Sequence, residues 1–248
     1  MAQDLDGKVA LVTGAARRIG AAIARRLHAH GASVLIQYRG ASTDADALAA
    51  ELNAARRDSA AVAQADLLSP EAPARLVEAA LARFGRLDLL VNNASSFYPT
   101  SVEAFSAKDW DELVGSNLRA PLFLSQAAAP HLAKQAGAIV NIIDIHWERP
   151  LKGYVVYSIA KAGLAGLTKS LALELGPAVR VNGVSPGAIA WPEDDQFDPA
   201  ERERIVATTP AGRVGAPEDI AQAVHFLACA PYVSGQILAV DGGRSVFL

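Results

Sequence analysis

A chain of 248 residues, 51% apolar and 20% charged, can form one large α/β domain with a full core, and its composition excludes a disordered or fibrous protein. The formal net charge of -3 and the scattered basic residues give no footprint for nucleic acid or an anionic membrane, so a small neutral or anionic metabolite is the expected partner. The lone Cys229 excludes an intramolecular disulfide, no His/Cys/carboxylate spacing suggests a structural metal site, and Met1 to Asp6 is neither basic nor long and apolar; a reducing cytoplasm with no export or membrane segment is expected.

Short β-branched or leucine-rich runs alternate with helical patterns throughout, predicting a single Rossmann-like domain over 1–248, with a doubly wound, seven-stranded parallel sheet covered by helices on both faces. The first strand, Lys8 to Thr13, ends in Thr13-Gly14-Ala15-Ala16-Arg17-Arg18-Ile19-Gly20, where a helix opens. Backbone N–H groups and the helix dipole there suit a pyrophosphate, with Gly14 permitting the tight turn and Gly20 the close approach of helix to sheet. The second strand, Ser33 to Tyr38, runs into Arg39, nineteen residues after Gly20, where an NAD enzyme would carry an acidic residue for the ribose. A guanidinium pairs with a 2′-phosphate, so NADPH is the expected cofactor, with Tyr38 and Arg39 among its contacts. After the third strand, Ala60 to Gln64, Asp66 and Leu67 are placed to contact adenine.

Ser69-Pro70-Glu71 predicts a capped helix start, and Phe84-Gly85 a left-handed helix end; Leu175-Gly176-Pro177 is expected to stop a later helix in the same way. The fourth and fifth strands are Leu87 to Asn92 and Ala138 to Ile143. Beyond them Tyr157-Ser158-Ile159-Ala160-Lys161 opens a long helix, with phenol and ammonium one turn apart on one face. The cation is expected to lower the tyrosine pKa and make Tyr157 a proton donor near neutral pH. The sixth and seventh strands are Val179 to Val184 and Ile237 to Val240, and the long irregular stretch 186–209 between them, containing Trp191, reads as a substrate loop.

The glycine turn, Asn92-Asn93-Ala94, Asn117, Tyr157-x3-Lys161, Pro186-Gly187 and Asp241-Gly242-Gly243 together resemble the short-chain dehydrogenase/reductases over nearly the whole chain. That resemblance implies that Asn93, Pro186 and Gly187 line the nicotinamide end and Lys161 binds its ribose. It also implies that Thr13, Ile19, Ala94 and Ser95 belong to the cofactor site, and that Asn117 holds a helix bend and a proton-relay water.

Most members carry a carbonyl-polarising serine thirteen residues before the tyrosine, where this chain has Asp144. A carboxylate repels a developing oxyanion, whereas a partly buried aspartate with a raised pKa can give or relay a proton to the nitrogen of a ring C=N; the alternative is a structural aspartate held by backbone N–H groups. With Arg18 in place of the family's second glycine and the segment Asn92 to Thr100, this resembles the pteridine reductases. The resemblance implies a pterin stacked on Phe97, contacts from Arg18 and Ser95, and a homo-tetramer built on the helices near Leu122 to Leu132 and Tyr157 to Leu175; Trp191 is read either as a lid on the pocket or as a loop tryptophan folded into the core. The competing readings are a carbonyl reductase of the 3-oxoacyl carrier-protein type and a cofactor-binding regulatory protein without turnover.

Overall fold

The computed structural model describes residues 4–191 and 198–247. Among them lie seven strands: β1 (Val9–Val12), β2 (Ser33–Tyr38), β3 (Ala60–Gln64), β4 (Leu89–Asn92), β5 (Ala138–Ile142), β6 (Arg180–Pro186) and β7 (Ile237–Val240). They form one parallel sheet in the order β3-β2-β1-β4-β5-β6-β7, with Val12 in register with Ile36 on one side and Val91 on the other. Strand order reverses between β1 and β4, and the ligand crevice of such a sheet opens beyond the carboxyl ends of the strands at that point.

The central strands are apolar on both faces because helices cover both. Ala10 and Val12 of β1 pack into one core layer with α1 (Arg18–Ala29), α2 (Ser42–Ala55) and α8 (Pro217–Cys229). Val9 and Leu11, pointing the other way along the same strand, join a second layer with α3 (Ala72–Phe84) and α5 (Ala120–Ala133). Each fully buried Leu or Ile in these layers contributes about 1.5–3 kcal/mol relative to exposure. The remaining helices are α4 (Ala107–Val114), α6 (Val155–Leu175), α7 (Pro199–Ala207) and the short α9 (Arg244–Phe247).

A buried polar ladder sets α6 over the sheet. The Asn92 amide donates to Asn141 Oδ1 at 2.8 Å, and the Asn141 amide donates to the Thr168 hydroxyl at 2.9 Å. Thr168 shares the buried face of α6 with Tyr157, Lys161 and Leu164, so a bond from β5 fixes the rotation of the helix that carries the reactive pair.

Four local expectations need correction. Helix α3 starts at Ala72, with Pro73 in its first turn, and the Ser69 hydroxyl bonds the Glu71 carboxylate instead of capping the helix. Gly85 is left-handed at φ 77 as expected, but Gly176 is extended at φ -69 and ψ 149, so α6 ends without that turn. Strand β6 extends to Pro186, two residues beyond the expected Val184. The stretch 186–209 is not irregular throughout, because the Asp198 carboxylate caps α7 by accepting from Glu201 N at 2.8 Å, while 192–197 lie outside the described residues.

Candidate active site

Two adjoining cavities occupy the crevice, of about 400 Å³ over the glycine turn and about 310 Å³ over β5 and the start of α6; Arg18, Ile19, Asn93 and Ser95 line both. Gly14 has φ +60, and a Cβ on Gly20 would lie 2.7 Å from the Asn93 amide nitrogen, so no side chain fits between helix and strand. The buried Thr13 hydroxyl accepts from the backbone N–H of Asn93 at 2.9 Å and of Ala94 at 3.0 Å, tying the ends of β1 and β4 together. Helix α1 has no acidic residue in its first turn and no side-chain cap, which leaves its positive end directed at the crevice. The cradle and the exposed helix end fit the pyrophosphate of a dinucleotide.

Gly14, Arg18, Ile19, Gly20, Arg39, Asp66, Leu67, Asn93, Ala94 and Ser95 all line the larger cavity. Tyr38 does not. Successive side chains of a strand face opposite ways, and the Tyr38 ring packs on the core layer under α1 and α2. Its neighbour Gln37 faces the groove instead: its Oε1 accepts from Gly14 N and its amide donates to Ala65 O, both at 2.8 Å. Period-two alternation back from Arg39 is the signal that identifies Gln37. Asp44, the nearest carboxylate after Arg39 in sequence, is engaged by Arg17 at 2.6 Å, and no carboxylate among the described residues is paired with Arg39.

The smaller cavity gathers Phe97, Asp144, Tyr157, Lys161, Pro186, Gly187 and Trp191. The Tyr157 hydroxyl donates to Asp144 Oδ2 at 2.8 Å, while Asp144 Oδ1 accepts from His146 N at 2.9 Å. The aspartate therefore contacts the reactive phenol and also caps a turn. Lys161, only 2% exposed, donates from Nζ to Ile142 O at 3.0 Å and lies 5.5 Å from the centre of the Tyr157 ring. Burial pulls the Lys161 ammonium down to about 8, against the pull of Asp144.

The expected depression of the Tyr157 pKa is corrected here. Burial, and then the facing Asp144 carboxylate, push the phenol well above its ordinary value of 10.0, opposed in part by the neighbouring Ser95 hydroxyl. Tyr157 stays a phenol at neutral pH with its proton directed at Asp144. The Ser95 hydroxyl donates to Asn117 Oδ1 at 2.6 Å, so a Ser95–Asn117 pair stands beside the Tyr157–Asp144 pair. Asn117 lies in the π-helical turn Gly115–Arg119 between α4 and α5, the bend expected of it, and its amide donates to Ser96 O at 2.9 Å and Leu113 O at 3.0 Å.

Phe97 borders the cavity with one face stacked on Tyr154 at 4.7 Å and makes an edge contact with Tyr157 at 4.8 Å. Sequence reasoning did not include Tyr154, which sits at the cap of α6. Arg18 adopts φ 51, the left-handed conformation that explains a glycine at this position in relatives, and its Nη2 donates to Ala190 O at 2.9 Å across the cleft. Trp191 borders the same cavity, with Arg202 over its ring at 5.4 Å.

A buried tyrosine and lysine on one helix face, next to a glycine-turn dinucleotide groove, suit hydride transfer coupled to protonation. Residues 14–245 match the family model described as enoyl-(acyl carrier protein) reductase. The chain belongs to the short-chain dehydrogenase/reductase family. As a member it is an oxidoreductase, and members use NAD(H) or NADP(H). It is similar to pteridine reductase 1 of Leishmania tarentolae, with 40% identity and 96% of each chain covered. It is also similar to a 3-oxoacyl-[acyl-carrier-protein] reductase of Synechocystis sp., with 38% identity over 98% of this chain and 99% of the relative. A 3beta-hydroxysteroid dehydrogenase 1 of Eggerthella lenta is 37% identical over 100% of this chain and 97% of its own. No helix among the described residues is long and apolar enough to cross a membrane.

Proposed function

We propose that this oxidoreductase is an NADPH-dependent pteridine reductase acting on a C=N bond of a pterin, a dihydropterin or dihydrofolate. The observation that carries the reading is the carboxylate of Asp144 at 2.8 Å from the Tyr157 hydroxyl, beside the ring of Phe97. A carboxylate here repels the oxyanion of a ketone being reduced, whereas a ring nitrogen gaining a proton is compatible with it. The cofactor supplies the hydride. Asp144 takes up a proton from solvent and passes it on directly, or Tyr157 gives its own proton to the substrate nitrogen and regains one from Asp144. Lys161 counters negative charge while the phenol proton is in transit. Phe97 offers a planar apolar surface for a flat heteroaromatic ring, and Arg18 stands where it can reach both cofactor and substrate.

Arg39 supports NADPH over NADH, because a guanidinium at the groove suits a 2′-phosphate and no carboxylate among the described residues engages it. A homo-tetramer is part of the proposal. Leu122 and Phe123 of α5 and Ile159 and Leu173 of α6 are exposed large apolar side chains of the kind that a second copy covers. A cytoplasmic setting accords with a chain that relies on no disulfide.

The deciding measurement is NADPH oxidation against oxidised pterins, dihydropterins, dihydrofolate and simple ketones, for the natural protein and Asp144→Asn. Pterin turnover should exceed that of simple ketones in the natural protein and fall sharply in Asp144→Asn, which keeps the size and hydrogen bonding of the aspartate but cannot give or relay a proton. Turnover of ketones or 3-oxoacyl thioesters with none of pterins would instead establish the carbonyl-reductase reading. Absence of turnover with every substrate would favour the regulatory one.

A further inference from the structure

At the opposite end of the sheet from the crevice, four chemically distinctive side chains meet where the N-terminal segment crosses the ends of α1 and α8. Asp4, His225 and Cys229 present ligand atoms that all lie within 4.8 Å of one another. His225 Nε2 is 3.1 Å from both oxygens of Asp4, and His30 Nδ1 is 3.0 Å from Asp4 Oδ1. The two imidazole rings lie against each other with centroids 3.8 Å apart. None of these groups touches the reaction cavity, and the hydride chemistry uses none of them.

The backbone holds the cluster firmly. Leu5, next to Asp4, is buried in the core, and its N–H donates to His30 O at 3.0 Å. His225 and Cys229 stand four residues apart on α8, one turn of one helix face. The Asp4 carboxylate faces the Cys229 thiol across the cluster. A thiol held against a carboxylate and an imidazole is a poor arrangement for a bare thiolate and a good one for a thiolate shared with a cation. The negative ends of α1, at His30, and α8, at Cys229, also converge there. Of the nearby cations, Lys8 and Arg180 act on the thiol; Arg180 is committed to the carbonyls of Leu227 at 2.7 Å and Ala228 at 2.6 Å.

We propose that Asp4, His225 and Cys229 are three ligands of a tetrahedral site for a zinc-class divalent cation, water being the fourth. Three atoms so close share a point within about 2.8 Å of each, roughly half an ångström outside a Zn–S bond, so small side-chain rotations complete the geometry. The donor set of thiolate, imidazole and carboxylate selects zinc or cobalt over magnesium or calcium. On binding, the Cys229 thiol releases its proton to solvent, His225 coordinates through Nε2 with its proton on Nδ1, and Asp4 gives one oxygen. His30 stays on the second oxygen and orients the carboxylate from behind. The site staples the N-terminal segment to α8 and is structural in character.

The test is titration of the untagged, chelator-stripped protein with Co²⁺, followed by Zn²⁺ competition. One equivalent of Co²⁺ should give tetrahedral d–d bands and a thiolate charge-transfer band, and Zn²⁺ should abolish both and raise the Tm. Cys229→Ser should lose the charge-transfer band, His225→Gln should weaken Co²⁺ more than about tenfold, and Tyr157→Phe should bind as the natural protein does. Asp4 is exposed, so Asp4→Asn keeps the fold intact and decides the matter should either α8 variant misfold; it too should lose tight binding. No charge-transfer band in the natural protein, or a band that survives Asp4→Asn at full affinity, overturns the site.

Discussion

The two cavities of the crevice are built on opposite physical principles. Over the glycine turn, the site consists mostly of backbone: Gly14 and Gly20 leave space, Thr13 and Gln37 hold the turn, and the charged side chains Arg18 and Arg39 are exposed. Over β5 and α6 the working groups are side chains removed from water, with Tyr157 and Lys161 almost fully buried and both pKa values displaced by burial. A backbone cradle tolerates changes at its rim, because each rim contact is screened and partial. A buried pair does not, because a polar group left without its partner there has no water to replace it.

That contrast is tested most severely at Tyr157. Tyr157→Phe should lower turnover by about 10² or more, the usual scale for removing a general acid, while leaving cofactor affinity nearly unchanged. Stopped-flow hydride transfer with a cofactor titration separates the two quantities, and near-normal turnover would assign the proton to another group. The corresponding change at the rim, Arg39→Ala, should weaken NADPH by about 10- to 100-fold and hardly affect NADH. Equal losses for both cofactors in calorimetric titrations would remove the phosphate role from Arg39.

Smaller effects sharpen the comparison. Lys161 has its pKa lowered to about 8 from 10.5, so its charge is lost as pH rises through about 8, and turnover that uses the charge should decline there. Stability should respond in the opposite sense: burial disfavours the charged form in the folded state, so between about 8 and 10.5 this group's contribution rises with pH. Parallel profiles of kcat and Tm would reveal the divergence, and a Tm falling in step with kcat would trace the decline to unfolding. The smallest expected change is in stability on Arg18→Gly. Relief of the left-handed strain at φ 51 and loss of the bond to Ala190 oppose each other, leaving a net change within about 1 kcal/mol. The KM for the substrate should nonetheless rise, because the tie between the glycine turn and the Trp191 segment is gone.

The parallel sheet, the strands to within a few residues and the separation of cofactor and reaction ends were legible because their signals are local. Seven apolar runs, a glycine turn at a strand end and a Tyr-x3-Lys spacing each lie within a few residues of one another. The helix α7 was hidden by its charged, weakly patterned segment, and Tyr38 was assigned to the groove because alternation was not carried back from Arg39 to Gln37. The direction of the Tyr157 shift was missed for a related reason. Spacing along α6 reveals the ammonium one turn away, but not how deeply the phenol is buried or that its proton is directed at Asp144.

The sequence by itself determined the family fold, the glycine turn and the Tyr-x3-Lys pair on one helix face, since these depend on residue type and short-range spacing. The tertiary structure decided what depends on distance through space: the bonds of Ser95 to Asn117 and of Tyr157 to Asp144, the Arg18 tie to Ala190, and the meeting of Asp4 with His225 and Cys229. In that last case Asp4 lies far in sequence from the His225–Cys229 pair and no periodicity relates it to them. Only packing the N-terminal segment and α1 against α8 brings them within reach of one another.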